Sequence, residues 1–409
     1  MRGRAFFKRC VLLLGLIAVV ATAVASRPPG TVSAAGTGYV SLTSPARILD
    51  TRAGGATVDN QFAAAGMRPF GSTLALTVAG RAGIPADAVA VVLNVTVTEA
   101  QGDGFITVFP CGAAQPTASN LNYVAGRNIP NMVIAKIGVG GAVCLFNGAA
   151  THLIVDVAGY FPGADALTPL ITPARVLDTR ANGVTVDGQF EGDGIRAAGS
   201  VQVLQITGRA AVPAGIASVV LNVTVDGPLT AGYITVYPCD APLPTASNVN
   251  FVAGQTIPNA VVARLSATGS VCLYTSATTH LVADISGYFA NTAVFFPLTA
   301  PARLLDSRWD GVTFDSAFRA TGLRPTGGTM QLKVAGRAVI PDNASAVVLN
   351  VTVDQAEADG FITVFPAGAA ADRTPRTSTT SPGKPSPTRS SPASARAGPC
   401  ACSTAAPPT

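Results

Sequence analysis

Ala90-Val91-Val92-Leu93-Asn94-Val95-Thr96-Val97 is the stretch whose reading decides the fold. It is rich in β-branched residues, and Asn94 and Thr96 alternate with Val95 and Val97 at the two-residue period of a strand. The segments around it read the same way: Leu74 to Val78, Phe105 to Phe109, Met132 to Lys136, Val143 to Phe146 and Leu153 to Val157. Gly and Pro turn signals separate them at short intervals, and no stretch keeps a helical period long enough to compete. A series of short strands of this kind predicts an antiparallel β-sandwich or barrel.

The strand returns at Leu221 and Leu349, so Leu93 and its two counterparts are each 128 residues apart. Other landmarks keep the step. Arg47-Ile48-Leu49-Asp50-Thr51-Arg52 recurs from Arg175 and from Arg303, and Gly104-Phe105-Ile106-Thr107-Val108 recurs from Gly232 and from Gly360. Solenoid units run to roughly 20–50 residues and cannot close a core alone, whereas a segment of this length can. We therefore expect tandem domains in series: a first unit at 38–162, a second at 167–290 and an incomplete third at 296–372. The joints are short enough for neighbouring units to touch. Gly80-Arg81 with Pro85, repeated at Gly208-Arg209 and Gly336-Arg337, reads as one turn made three times.

Residues 1–25 read as a signal peptide: Arg2, Arg4, Lys8 and Arg9 precede an apolar run, followed by a small-residue cleavage site at Ala23-Val24-Ala25. A Pro/Gly/Ser/Ala leader spans 26–37. The protein is thus expected to be exported, with no membrane segment beyond the signal. The net charge of +5 does not point to nucleic acid. Four of the 27 basic residues lie in the signal and five after residue 372, which leaves 18 basic against 22 acidic residues in the leader and repeats between them. A phosphate-tracking footprint is absent. Cys111 and Cys144 recur as Cys239 and Cys272, one pair per complete unit. In an exported chain such pairs point to disulfides rather than to metal sites.

After Pro366 the third unit loses its pattern. Ala367 stands where a cysteine is expected, and 373–409 becomes a Ser/Thr/Pro/Arg/Ala string whose composition reads as disorder. The genetic code offers an origin for it. A blend of the segments starting at Ser119 and Ser247, written in GC-rich codons and shifted by one base, encodes Arg376 through Pro392 without a mismatch. A second shifted segment encodes Cys400 through Thr409 and then a stop. The tail therefore reads as the last strands of the third unit in the wrong frame, which leaves Cys400 and Cys402 without a designed role.

Two constellations are candidates for chemistry. Arg47, Asp50 and Arg52, with Arg175, Asp178 and Arg180 and with Arg303, Asp306 and Arg308, concentrate charge in a chain that is only 12% charged. A regular strand places Asp50 and Arg52 on one face and Arg47 on the other. The set reads as a structural anchor for the first strand, or as a shallow polar site, with Asp59 and Asp103, for sugar hydroxyls or Ca²⁺. The only histidines, His152 and His280, each lie four residues before an aspartate, Asp156 and Asp284, on one strand face. A hydrolase would also need a nucleophile or metal and a pocket. A histidine making a structural hydrogen bond at the start of a strand is the favoured reading. Asn94-Val95-Thr96 and its copies match a glycosylation sequon inside strands. Asn120 and Asn122, with Asn248 and Asn250, read as ladder or loop-capping residues. No cofactor is indicated.

Taken together, Pro-Ala-Arg-x-Leu-Asp-(Thr/Ser)-Arg at Pro45, Pro173 and Pro301, the Val-Val-Leu-Asn-Val-Thr strand, Gly-(Phe/Tyr)-Ile-Thr-Val-(Phe/Tyr)-Pro, and Thr-His-Leu followed by Gly-Tyr-Phe resemble a repeat domain of secreted and surface-attached actinobacterial proteins. The resemblance covers the chain up to about Pro366. It implies a module that accompanies peptidase, peptidoglycan-hydrolase or adhesion domains without catalysis of its own. The expectation is tandem jelly-roll-like sandwiches in a non-enzymatic cell-surface or extracellular protein that adheres, spaces or binds. Its partner would be a surface polymer or protein, a cell-wall glycan being one candidate. A carbohydrate-binding module and a His/Asp hydrolase are the alternatives.

Overall fold

Eight strands build the first unit of the computed structural model: β1 (Val40–Asp50), β2 (Thr73–Thr77), β3 (Ala90–Thr98), β4 (Gly104–Pro110), β5 (Leu121–Tyr123), β6 (Ile129–Lys136), β7 (Ala142–Asn147) and β8 (His152–Phe161). They pair antiparallel into two four-stranded sheets, in the orders β1-β8-β3-β6 and β2-β7-β4-β5. That order is a jelly roll, in which the chain crosses between the sheets so that β1 pairs with β8, β2 with β7 and β3 with β6. The structure describes residues 38–163, 165–291, 295–358, 360–367, 378–380, 389–394 and 399–405. Residues 1–37, expected to hold a signal peptide and leader, lie outside them.

The second unit repeats the scheme with β9 (Thr168–Asp178), β10 (Val201–Gln205), β11 (Ser218–Asp226), β12 (Gly232–Pro238), β13 (Val249–Phe251), β14 (Ile257–Arg264), β15 (Ser270–Thr275) and β16 (His280–Phe289). Its sheets run β14-β11-β16-β9 and β10-β15-β12-β13. In each unit the alternate residues of the two sheets interdigitate. Val91, Leu93, Val95 and Val97 of β3 meet Leu76, Ile106, Val108 and Leu145 in one core, and Val219, Leu221, Val223 and Val225 of β11 occupy the same places in the next.

The polar face of the deciding strand is not solvated. Ala90 and Val92 point away from their own core and join Met132, Ile134 and Phe161 against Leu167, Val220, Ala260 and Phe289 of the second unit. β3 is therefore buried on both faces, which is why its sequence is nearly continuous in apolar residues. The units are not beads on a line. β6 packs on β14 as well as on β21 of the third unit, and β1 touches β19 there.

The third unit holds β17 (Thr329–Lys333), β18 (Ala346–Val351), β19 (Gly360–Pro366), β20 (Ser378–Thr380), β21 (Arg389–Ser394) and β22 (Pro399–Ala405). One sheet keeps the order β17-β22-β19-β20, and the other is reduced to β18 paired with β21. The tail segments that are described thus run as strands where composition leads to an expectation of disorder. β21 pairs along β18, and β20 and β22 pair along either side of β19, because main-chain pairing accepts almost any sequence; Pro392 opposite Val348 supplies no N–H. Residues 301–305 form no strand, and Asp306 makes only a single bridge to Arg319.

Candidate functional site

The Arg-Asp-Arg stem sits where β1 leaves the sheet. A β-bulge lies between Arg47 and Leu49 in the pairing of β1 with β8. One extra residue inverts the side-chain parity of the strand, so Arg47 and Asp50 face the same way. The expectation from a regular strand, with Arg47 opposite Asp50, is corrected by this bulge. Arg47 Nε donates to Asp156 Oδ1 at 2.8 Å, and its Nη1 donates to Asp50 Oδ2 at 3.3 Å. Arg52 grips Asp50 with two parallel bonds, from Nε at 3.0 Å and from Nη2 at 2.7 Å. Asp50 and Asp156 are buried. Gly55 completes the wrap, because a Cβ there would stand 2.7 Å from the Asp50 carboxylate.

The second unit reproduces the network: Arg175 Nε donates to Asp284 at 2.9 Å and Nη1 to Asp178 at 3.3 Å, while Arg180 holds Asp178 at 2.7 Å. In the third, Arg303 and Arg308 hold Asp306 at 3.1 and 2.7 Å. Burial acts to raise the Asp50 and Asp178 carboxyls, but the hydrogen bonds and charges of Arg52 and Arg180 outweigh it and hold both below the ordinary value. At Asp306 the Arg308 hydrogen bond leads, and the result is again a lowered carboxyl. At Asp284 burial leads and pushes the carboxyl up, against Arg175.

His152 and Asp156 share a face of β8 but do not meet. Four residues of strand separate them by about 13 Å. Asp156 is engaged by Arg47, and His152 Nδ1 lies 3.0 Å from Thr51 Oγ1. The Leu153 amide donates to that same hydroxyl at 2.8 Å, so Thr51 Oγ1 bridges the ring and the strand backbone. His280, Thr179 and Leu281 repeat the arrangement at 3.2 and 2.9 Å. Thr51 is fully buried, and its hydroxyl is engaged by both the His152 ring and the Leu153 amide. It locks the start of β8 to the end of β1.

The residue that pattern reading missed is the arginine of the Gly-Arg turn. Arg81 is buried and donates to Asp59 Oδ2 at 2.7 Å and Oδ1 at 2.8 Å, to the carbonyls of Thr77 at 2.7 Å and Ile48 at 3.0 Å, and to that of Gln61 at 3.3 Å. Its guanidinium lies 5.1 Å over the Phe62 ring. Arg209 and Arg337 clamp Asp187 and Asp315 in the same way, over Phe190 and Phe318. Asp59 is therefore an ion-pair partner, not an open ligand, and Asp103 accepts the Ala125 amide at 2.9 Å. The available signal was the constant separation of 22 residues between each Asp and its Arg.

The clamp fixes the loop between β1 and β2 in a costly conformation. Asn60, Phe62 and Ala64 have φ of 59°, 56° and 47°. Non-glycine residues hold such angles, at about 1 kcal/mol or more each, only where the surroundings over-determine them. From this fixed loop each unit displays apolar side chains at matching positions. Val58, Val186 and Phe314 are 60%, 57% and 55% exposed; Met67, Ile195 and Leu323 are 38%, 44% and 60% exposed.

Disulfides Cys111–Cys144 and Cys239–Cys272 join neighbouring strands with Cα atoms 5.0 Å apart. Asn120 and Asn248 cap, accepting the Val108 and Val236 amides at 2.6 and 2.7 Å. The sequon asparagines have another task. Asn131 Nδ2 donates to Asn222 Oδ1 at 3.0 Å, Asn222 donates back to the Ser119 carbonyl at 2.6 Å, and the Ala260 amide donates to Asn131 Oδ1 at 3.2 Å. Asn259 meets Asn350 at 3.2 Å across the next junction. Among the described residues no group of three His, Cys, Asp or Glu is placed to hold a metal ion, and no helix is long and apolar enough to cross a membrane. An open cavity of about 1760 Å³ lies between the third unit and the other two, bordered by Pro301 to Arg308, Leu349 and Tyr233.

No protein-family model and no curated protein matches the chain. A solved structure described as "The Triple Jelly Roll Fold and Turret Assembly in an Archaeal Virus" overlays on it at 8% identity, covering 90% of this chain and 88% of that one, with a TM-score of 0.20. An overlay that loose carries no argument. The jelly-roll assignment stands on the strand orders of the first two units.

Proposed function

We propose that this chain is an exported, non-enzymatic repeat protein of the cell surface or extracellular space, which binds a surface polymer or protein through the loop between the first two strands of each unit. One observation carries the reading: three arginine-clamped loops present apolar side chains at the same positions while the charges beneath them are neutralised internally. A fixed loop loses little entropy on binding, and three weak copies add through avidity. Two disulfides suit an oxidising compartment. Adhesion fits the packed arrangement of the units better than spacing does. The tail is, on this reading, an out-of-frame translation of the third unit's last strands.

The test is co-sedimentation with cell-wall peptidoglycan together with glycan and surface-protein arrays. Replacing Val58, Val186 and Phe314 by Asp together should abolish capture, while any single replacement weakens it several-fold. Unchanged capture by the triple variant would remove the loops as the binding face. Capture confined to glycans would make the protein a carbohydrate-binding module. Mass spectrometry of the secreted protein checks cleavage before Ser26, and resequencing the locus checks the frame.

A further inference from the structure

The three units meet through one relation. From the first unit to the second, β4 and β6 touch β9, while β5 and β6 touch β14. From the third back to the first, β19 and β21, which hold the places of β4 and β6, touch β1, while β20 and β21 touch β6. The strands touched correspond, since β1 and β6 of the first unit are the counterparts of β9 and β14 in the second. From the second unit to the third the side chains carry the match. Asn259 donates to Asn350 and Asn350 to the Ser247 carbonyl, as Asn131 donates to Asn222 and Asn222 to the Ser119 carbonyl.

Equal steps that return to the starting unit after three are rotations of about 120° with no advance along the axis. β6, β14 and β21 mark that axis, because each touches the other two. A rotation keeps height, so the three arginine-clamped loops lie in one plane. The path of the chain leaves that plane free. Each unit is entered and left at the far end of its strands, where the rings of Tyr39 and Phe161 are 5.4 Å apart, those of Phe161 and Phe289 5.9 Å, and those of Phe289 and Phe295 4.9 Å. β1 then carries the chain from Val40 to Asp50, a strand length of about 30 Å, before the clamped loop begins. Other loops of the unit gather at that end: the Arg68 amide donates to the Thr151 carbonyl and the Gln101 amide to that of Ala150, both at 2.8 Å.

We propose that the units close into a ring about a threefold pseudo-axis, and that the loop end of the ring is one trivalent face for a cell-wall polymer that repeats the recognised group at many points. The proposal rests on the loops being the binding face and adds that they bind together. A small partner with one such group engages one loop. A polymer meets all three from one side, and because the ring fixes the loops relative to one another, the second and third contacts are intramolecular.

The ring and the face are tested separately. Spin labels at Val58→Cys, Val186→Cys and Phe314→Cys, placed two at a time in the secreted chain carrying Cys400→Ser and Cys402→Ser, should give three equal distances. A line of units would make the distance from 58 to 314 about twice the other two. Small-angle scattering of the unsubstituted chain repeats the test without any replacement that could misfold it, with a radius of gyration of about 21 Å expected for the ring against about 26 Å for a line. A linear result overturns the ring whatever the loops bind. With peptidoglycan sacculi as the probe, Val58→Asp alone should weaken capture several-fold, since one of three simultaneous contacts is lost. A loss of only about 1.5-fold, as when three independent sites become two, overturns the trivalent face. Absence of capture by the parent chain overturns that face together with the loop reading, while equal distances would still establish the ring.

Discussion

Replacing Arg81 by Met tests whether one buried arginine holds the β1–β2 loop. Methionine matches the length of the aliphatic stem and removes all five hydrogen bonds. Breaking a buried pair from one side costs about 3–5 kcal/mol, because the other charge stays without compensation. Asp59 is 25% exposed, so water recovers part of that cost and the lower end, about 3 kcal/mol, is expected. The loss falls on the loop before it falls on the sandwich, which keeps its core. Native-state hydrogen exchange in the full chain reads it at the amides of Asp50, Val58 and Gln61, which donate to Phe62 O, Arg47 O and Asp59 Oδ1. At about 1.4 kcal/mol per decade, these amides should exchange on the order of 100-fold faster, while Val155 in β8 changes little. Arg209→Met and Arg337→Met should act alike at their own loops. Exchange within about threefold of the parent at all three amides would refute the clamp.

Further outcomes follow from the same structure. Replacing Cys111 and Cys144 together by Ser should cost about 4 kcal/mol on the loop-entropy account for a closed segment of 33 residues, measured by urea denaturation; an unchanged midpoint would show that the bridge is not stabilising. The melting temperature should hold near neutral pH and fall below about pH 4. Asp50, Asp178 and Asp306 are held below the unfolded value of about 3.9, so their contribution is complete above that pH and is lost as pH falls through the folded values. Asp284, pushed up by burial, acts in the opposite sense, and a melting temperature that rises down to pH 3 would mean that the raised group dominates. Asn131→Ala should remove the bonds to the Ala260 amide and to Asn222 Oδ1, at about 1–3 kcal/mol, and speed proteolysis between residues 162 and 167 without unfolding either sandwich.

Alternation and turn residues made the strands legible, since a two-residue period is a local property of the chain. The fixed step of 128 residues made the cysteine pairing legible as well. Three features were not. The bulge that turns Arg47 toward Asp50 depends on how β1 registers against β8, over 100 residues away. The clamp of Arg81 on Asp59 looked like turn punctuation, because its partners converge only when the sandwich closes. The burial of Asn222 was hidden because its partner Asn131 belongs to a different unit.

By itself, then, the sequence determined what local patterning can encode: an all-β chain, two complete units and a third out of pattern, and a repeated charged stem. Only the tertiary structure decided that the stem is an internally neutralised lock, that an arginine clamp fixes the loop between the first two strands, and that the units pack side by side through their asparagines. The physical reason is that charge neutralisation and burial on a second face are relations between segments far apart in the chain. They exist only once loop-closure entropy has been overcome and those segments share one place.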